Sequence, residues 1–335
     1  MINLKMIDYK GKNVLITGGA GFIGSHLTEA LVRAGAKVRV FVRYTSSREI
    51  GLLKEVEREI LSELDIYFGD LRDIQSVRNA VKEQQIIFHL GALIGVPYSF
   101  IHPHEVVINN IKATLNILEA SKELNIEKTV ITSTSEVYGT AEFSPITEKH
   151  PLKPQSPYSA SKIASDSVAM SYYYAYEMPI TILRPFNTFG PRQSLRAVIP
   201  TIISQAILKG EVELGRVDTQ RDFTFVSDTV RGFMLTGLAD NSNGKIINIG
   251  TGETRTIKQV VELVGSILDK ELKIKVSEKR FRPGKSEVEL LVASYNEAKD
   301  ILGWSPLTSF QEGLRLTVEY IKNNIEKYDF TNYIV

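Results

Sequence analysis

The chain predicts an α/β protein built on a doubly wound parallel sheet, with a smaller α/β lobe attached. Three observations carry this. Short apolar runs alternate with helical stretches through the first half of the 335 residues. Those runs are almost continuously apolar, as strands covered on both faces must be. After Arg184 the texture changes to proline- and glycine-rich segments with short strands and short helices.

The elements follow in order. Residues 13–17 read as an apolar strand, 21–34 as a helix and 37–42 (KVRVFV) as a second strand. Strands at 65–68 and 85–89 flank a helix at 74–82, and 104–124 is a long helix. A strand at 128–132, a helix at 159–177 and a strand at 179–183 complete the alternation. Right-handed crossovers between such strands wind the sheet in both directions. Two later segments, 222–238 and 245–250, are expected to return to it.

Bulk composition excludes several classes. A net charge of +1 offers no electrostatic footprint for nucleic acid or an anionic membrane. Cysteine is absent, so disulfides and thiolate metal sites are excluded, and a reducing, cytoplasmic setting is expected. The N-terminal stretch MINLKMIDYKGK lacks the apolar core of a leader. The most apolar run, 86–96, is broken by His89 and is too short to span a bilayer. The five histidines show no metal-ligand spacing, and no metal is expected.

The first strand leads into VLITGGAGFIGSHL, which places Gly18, Gly21 and Gly24 three residues apart. Glycine permits the tight turn and the close approach of a pyrophosphate, and the following helix aims its first amides at the phosphates. A strand, a glycine turn and a helix within one βαβ unit read as a Rossmann-type dinucleotide site. At the end of the second strand, where an acid would take the ribose 2′-hydroxyl, the chain has Val42 and then Arg43. Arg43 suits a 2′-phosphate, so NADP is an option beside NAD; otherwise it is a solvated surface arginine. Asp70, in FGDLRD after the third strand, is placed to accept from an adenine amino group or to cap the next helix. The expected division is a dinucleotide-binding body of residues 1–184, with returning segments at about 218–265. A substrate lobe of about 185–217 and 266–330 completes it.

Two further motifs carry chemistry. STSEVYG follows the strand at 128–132 and sets Ser133, Thr134, Ser135 and Glu136 in a row, more polar groups than a loop needs. SPYSASK sets Tyr158 and Lys162 four apart, on one face of a helix. A neighbouring ammonium lowers a phenol's pKa from about 10, which would let Tyr158 take a proton from a sugar hydroxyl as hydride leaves the same carbon.

With these motifs in place the chain resembles the extended short-chain dehydrogenase/reductases of the nucleotide-sugar epimerase/dehydratase family, over nearly its whole length. TGGAGFIG, Asp70, the HLGAL loop, Asn110, Thr134 and the Tyr158/Lys162 pair carry the resemblance, with RPFNTFGPRQ, RDFTFVSD, INIGTGE and RFRPGKSEVELL downstream. The last stretch is similar to the C-terminal motif of GDP-mannose 4,6-dehydratases. GALIGVPYS, TSTSEVYGTA and PFNTFGPRQSLRAVIPTI resemble most the GDP-N-acetylglucosamine 4,6-dehydratases of legionaminic acid synthesis.

The resemblance implies roles. Gly18, Gly21, Phe22, Ile23, Gly24, Arg43, Asp70, Leu71, Leu90, Gly91, Ala92, Asn110, Tyr158 and Lys162 would hold a tightly bound NAD or NADP that is recycled in each turnover. Thr134 would hold the 4-hydroxyl beside Tyr158, and Glu136 would remove the proton from carbon 5 once carbon 4 is a ketone. Ser135 stands where dTDP-glucose 4,6-dehydratases carry an aspartic acid that protonates the leaving hydroxyl. Ser99, Asn187, Arg192, Arg221, Arg282 and Glu287 would bind the nucleotide sugar, a hexose linked to GDP or UDP. Close alternatives are a UDP-glucuronate decarboxylase or a UDP-sugar 4-epimerase; a non-catalytic dinucleotide sensor is a remote one. The aromatic run MSYYYAYE at 170–177 reads as core or interface at helical spacing, and the resemblance implies a homodimer through a four-helix bundle that includes this helix.

Overall fold

The computed structural model describes residues 7–328. Residues 1–6, part of the stretch expected to lack an apolar leader, lie outside them. The first half contains β1 (Asn13–Thr17), α1 (Phe22–Arg33), β2 (Lys37–Arg43), α2 (Arg58–Ser62), β3 (Asp65–Gly69) and α3 (Ile74–Val81). It continues with β4 (Ile86–His89), α4 (Val96–Ile101), α5 (Pro103–Glu123), β5 (Lys128–Thr132), α6 (Pro157–Tyr176) and β6 (Ile180–Pro185). The second half holds β7 (Asn187–Phe189), α7 (Val198–Leu208), β8 (Glu211–Leu214), β9 (Gln220–Arg221), β10 (Phe223–Phe225) and α8 (Val226–Leu238). It closes with β11 (Ile246–Ile249), β12 (Arg255–Thr256), α9 (Ile257–Leu268), β13 (Lys273–Val276), β14 (Leu290–Leu291), α10 (Asn296–Leu302) and α11 (Phe310–Asn323).

Seven strands form the main sheet in the order β3-β2-β1-β4-β5-β6-β11, and every neighbouring pair is parallel. This is the α/β doubly wound architecture that the strand composition predicts. Chain order reverses between β1 and β4, so the loops after these two strands open a crevice at the carboxyl edge. The segment at 222–238 returns as strand β10 and then helix α8, which packs on β4, β5, β6 and α1; 245–250 returns as the edge strand β11.

The later elements build a second layer of packing over that crevice. β7 pairs with β10, β8 with β13, and β9 with both β12 and β14. α7, α9 and α11 pack on one another. Phe189, Phe223, Phe225 and Phe310 meet with ring centroids 5.1–6.2 Å apart, and Gly313 leaves room for two of these rings. Trp304 is fully buried and donates its indole N–H to the Asp228 carbonyl at 2.9 Å, fixing the ILGWSP segment on α8.

Candidate active site

A cleft of about 850 Å³ runs along the carboxyl edge of the sheet, between the β1 and β4 loops on one side and the β7, β9 and C-terminal segments on the other. Gly18, Gly21, Phe22, Ile23, Gly24, Arg43, Asp70, Leu71, Leu90, Gly91 and Ala92 line one end of it. Gly18 has φ +72°, and a Cβ there would sit 2.8 Å from the Gly91 nitrogen. A Cβ on Gly24 would lie 2.1 Å from the Gly18 carbonyl oxygen. Close backbone contact is therefore what requires these two glycines. Gly21 caps α1 without any side-chain hydrogen bond, so the amides of the first helical turn face the cleft uncapped. A helix start of this kind fits the pyrophosphate of a dinucleotide. Arg43 is exposed at the far end. Asp73, not Asp70, caps α3; the Asp70 carboxylate is instead gripped by Arg72, Nε to Oδ1 at 2.9 Å, which keeps it below its ordinary pKa.

The catalytic candidates stand in the middle of the cleft. β5 ends at Thr132, and Thr134 caps the short turn Ser135–Tyr138 by accepting from the Glu136 amide at 3.2 Å. Ser156 and Ser159 cap α6 reciprocally, with Pro157 in the first turn. That box fixes the turn carrying Tyr158. Thr134, Ser135, Glu136 and Tyr158 all line the cleft, whereas Lys162 is buried one turn further along α6.

The lowering of the Tyr158 phenol expected from Lys162 is not what the protein's own groups produce. Burial raises the hydroxyl well above its ordinary value; a hydrogen bond with Thr134 pulls it back, and Glu136 and Asp166 raise it again. Desolvation, which opposes the phenolate, outweighs the rest. Lys162 is itself lowered by burial, with Asp166 opposing.

Asn110 is buried and does not line the cleft among the described residues. It acts from behind. Its Oδ1 accepts from the Leu93 amide at 2.8 Å, and its Nδ2 donates to the Leu93 carbonyl at 3.0 Å and to Ser161 Oγ at 2.9 Å. The Thr114 hydroxyl donates to the Asn110 carbonyl at 3.0 Å, so towards His89 Nε2 at 3.4 Å it accepts; the neutral ring carries its proton on Nε2, and Nδ1 accepts from Thr17 Oγ1 at 2.7 Å, which in turn accepts from the Gly91 amide. Burial, helped by Lys162, holds His89 down at about 3, hence neutral.

The opposite wall is cationic. Arg282 donates to both oxygens of Glu136, at 3.1 and 3.3 Å, and Arg221 lies 3.5 Å from Glu287. Burial pushes the Glu136 carboxyl up, but the charges of Arg282 and Arg221 prevail and hold it below its ordinary value. The segment bearing Arg282 and Glu287 is fastened to the catalytic loop by Gln155, which donates to the Glu287 carbonyl at 2.8 Å and accepts from the Thr140 amide at 2.6 Å. Three buried oxygens on the cleft wall have no hydrogen-bond partner: Thr132 Oγ1, Asn187 Oδ1 and Gln193 Oε1. Unpaired buried acceptors are costly, and a hydroxyl-rich ligand would satisfy them.

Two expected substrate contacts need correction. Arg192 does not line the cleft; with φ +68° the turn sends its side chain back onto α1, where Glu29 takes it at 2.9 Å and the Glu55 carbonyl at 3.2 Å. Ser99 is fully buried within α4, donating to the Val96 carbonyl at 2.7 Å. Sequence reading missed Arg196 and Arg216, which line the cleft on loops, Arg280, which lines it from the short helical turn Glu278–Arg280, and Leu93 and Ile94, which follow β4. The cluster of arginines in RQSLR and RFR was the available signal.

A doubly wound sheet with a glycine turn at its switch point, and a Tyr-x-x-x-Lys helix beside a Ser-Thr-Ser-Glu loop, defines an extended short-chain dehydrogenase/reductase. The family model described as GDP-mannose 4,6 dehydratase matches residues 15–317, and the chain belongs to that family of nucleotide-sugar epimerases and dehydratases. The UDP-glucuronate 4-epimerase of Thermodesulfobacterium geofontis is 30% identical, with 93% of this chain and 97% of the relative covered. The solved UDP-N-acetylglucosamine 4-epimerase of Methanobrevibacter ruminantium is 33% identical with a TM-score of 0.84, covering 94% of this chain and 99% of the other. DesIV, a dTDP-glucose 4,6-dehydratase from Streptomyces venezuelae determined with NAD bound, is 26% identical with a TM-score of 0.83, covering 95% and 99%.

Proposed function

We propose that this enzyme is a nucleotide-sugar 4,6-dehydratase that makes a 4-keto-6-deoxy sugar nucleotide. The observation that carries the reading is Glu136: a buried carboxylate, kept ionised by Arg282 and Arg221, on the same cleft wall as Thr134 and Tyr158. Epimerisation at carbon 4 has no need of a second base. Elimination across carbons 5 and 6 does.

The glycine turn, the uncapped start of α1 and the Leu90–Gly91–Ala92 wall would hold NAD or NADP, with Arg43 near the adenosine ribose. When bound, the cofactor would supply the hydride acceptor for carbon 4 and the hydride for carbon 6, after which carbon 5 takes a proton of solvent origin. Tyr158 takes the proton of the 4-hydroxyl, which Thr134 positions. With carbon 4 a ketone, the carbon 5 proton is acidic enough for Glu136. The proton Glu136 gains is the one available to the departing carbon 6 hydroxyl, since Ser135 is a far weaker acid. Arg221, Arg282, Asn187 and Glu287 bind the sugar nucleotide. The body formed by residues 1–184 and about 218–265 serves the dinucleotide; about 185–217 and 266–330 serve the sugar nucleotide.

The sequence resemblance favours GDP-N-acetylglucosamine, while the solved relatives named above are a 4-epimerase of a UDP-linked sugar and a 4,6-dehydratase of a dTDP-linked sugar. A second reading, 4-epimerisation, draws on the epimerases among the relatives. Incubation with GDP-, UDP- and dTDP-linked hexoses, N-acetylhexosamines and uronic acids, followed by mass spectrometry, separates these. Loss of water supports dehydration, an isomer of unchanged mass supports epimerisation, and loss of carbon dioxide supports decarboxylation. An enzyme shown to hold cofactor that leaves every substrate unchanged refutes the reading.

The exposed faces of α5 and α6 carry Ile108, Leu115, Tyr174 and Tyr176, an apolar surface suited to a homodimer through four helices. A cytoplasmic setting accords with a chain without cysteine. Among the described residues no helix is long and apolar enough to cross a membrane.

A further inference from the structure

Behind the cleft lies an ion pair that the proposed chemistry does not touch. Asp166 and Arg184 are both buried, 3% and 1% exposed. Arg184 donates from Nε at 3.2 Å and from Nη2 at 2.9 Å, and Ser133 from Oγ at 2.7 Å, all to the same oxygen, Asp166 Oδ2. The other oxygen, Oδ1, is buried without a hydrogen-bond partner. Leaving half of a carboxylate unsatisfied in the interior is costly unless a charge nearby rewards it. Lys162 lies one helical turn before Asp166 on the same face of α6, also buried.

Among the described residues, Asp166 is the anion whose charge acts on Lys162. β4 presents His89, which is neutral. α5 presents Asn110 and Thr114 to this face, and neither titrates. β6 presents Arg184, whose Nη1 donates to the Tyr138 hydroxyl at 2.8 Å and whose guanidinium stacks 4.9 Å over that ring. The catalytic loop presents Ser133 and, across Tyr158, Glu136. Tyr158 itself is the remaining titratable neighbour on α6.

We propose that Asp166 is a positioning residue that supplies the countercharge of Lys162, and that Arg184 and Ser133 hold it in place for that purpose. The catalytic loop and the catalytic helix are joined through the same carboxylate, by the Ser133 bond. Both halves of the oxidation pair would then be tuned from one buried group that touches neither substrate nor cofactor. The role of Lys162 in this inference rests on the function proposed above; the coupling of Asp166 to Lys162 does not.

The test is therefore a titration as well as a rate. In protein labelled with 15N-lysine, the buried Nζ signal absent from Lys162→Met is assigned to Lys162 and followed with pH by NMR. Asp166→Asn should lower its midpoint by about 1–3 pH units, the size expected for a lost opposite charge. Asp166→Glu should restore it. The reciprocal measurement leaves Asp166 in place: in Lys162→Met the Asp166 carboxyl, followed by 13C NMR, should titrate at higher pH than in the unmodified enzyme. That arm decides the matter if Asp166→Asn does not fold. In turnover, both limbs of the pH profile of Asp166→Asn should move to lower pH, because losing the carboxylate's charge lowers the pKa of the lysine and of the phenol alike. A purely architectural Asp166 would reduce the height of the profile and leave its limbs in place. Unmoved midpoints in both titrations overturn the proposal, whatever reaction the enzyme proves to catalyse.

Discussion

Replacing the three loop glycines one at a time by alanine should separate folding from dinucleotide binding. The costs follow from where each Cβ would fall. At Gly24 it would meet the Gly18 carbonyl oxygen at 2.1 Å and the Gly19 Cα at 2.7 Å. Both are backbone atoms that cannot swing away. Alanine regains about 1 kcal/mol of helix preference in α1, but overpacking of this kind costs about 1–3 kcal/mol or more, so a net loss is expected. At Gly18 two penalties add: roughly 1–2 kcal/mol for a side chain at φ +72°, and a backbone contact at 2.8 Å. The total is about 2–5 kcal/mol. Gly21 is different. Its φ is −89°, and its nearest neighbour would be 3.2 Å away, so the loss is about 1 kcal/mol or less, that of a poorer cap. Yet a methyl there stands where the phosphates approach the helix start. Gly21→Ala should thus unfold in denaturant close to the unmodified protein while binding NAD or NADP far more weakly in calorimetry on stripped protein. Equal destabilisation by Gly21→Ala and Gly24→Ala, or undiminished dinucleotide binding by Gly21→Ala, would refute the placement of the phosphates.

Three further outcomes are expected. Glu136→Gln keeps the side chain's reach but removes the base, so on mixing with substrate the reduced nicotinamide absorbance should accumulate while product formation falls by roughly 10²–10⁴-fold; turnover at full speed, with normal solvent deuterium at carbon 5, would return Glu136 to a hydrogen-bonding role. Arg43→Ala should weaken NADP more than NAD, by about 1–3 kcal/mol for a lost charge-assisted contact, and equal effects on both in calorimetry count against a 2′-phosphate site. His89 is held at about 3 when folded, below its ordinary 6.5. Its contribution to stability is therefore complete above pH 6.5 and lost as pH falls towards 3, at about 1.4 kcal/mol per pH unit. Denaturant unfolding between pH 6.5 and 5 should show a shallower acid slope for His89→Gln, and identical slopes would exclude a buried neutral imidazole.

The main sheet was legible because its strands are buried on both faces, which leaves an unmistakable apolar run at each of β1, β2, β4, β5 and β6. The short helix α4 was not, since VPYSFI is too brief to show a helical period. The strands β7 to β9 and β12 to β14 escaped for another reason: they run two to four residues, and their pairing is decided by contacts across the chain. Among site residues, those in contiguous motifs were readable as motifs. Arg192 misled because a family arginine and a structural one look alike in sequence; only the left-handed turn at Arg192 decides which way it faces. RDFTFVSD also hides a division of labour. Arg221 faces the cleft, while Asp222 accepts from the amides of Thr251, Gly252 and Ala293 and serves the fold. Asp166 and Arg184 sit 18 residues apart, with no pattern that joins them before the helix and strand are laid side by side.

The crowded loop after β5 makes sense once its neighbours are counted. A turn of this length needs one cap, and Thr134 provides it. The remaining polar groups are committed elsewhere, each in a different direction. Ser133 reaches behind the sheet edge to Asp166, and so to the ion pair beneath α6. Thr134, besides capping, meets the Tyr158 hydroxyl. Glu136 reaches across the cleft to Arg282. These commitments impose opposite demands on charge. Tyr158 must give up its proton in a buried place that favours the neutral phenol, while Glu136 must stay ionised in a place that favours the neutral acid. One cationic neighbourhood could not be tuned for both. The loop separates them by facing Glu136 towards the arginines of the C-terminal segments and leaving Tyr158 to the lysine side of α6. Because β5 is central in the sheet and the capping box fixes the first turn of α6, the two environments are held a few residues apart, although the Glu136 charge still raises the Tyr158 phenol. The proposed dehydration asks for two bases held in different surroundings, Tyr158 for the oxidation and Glu136 for the elimination, and an epimerase needs only the first.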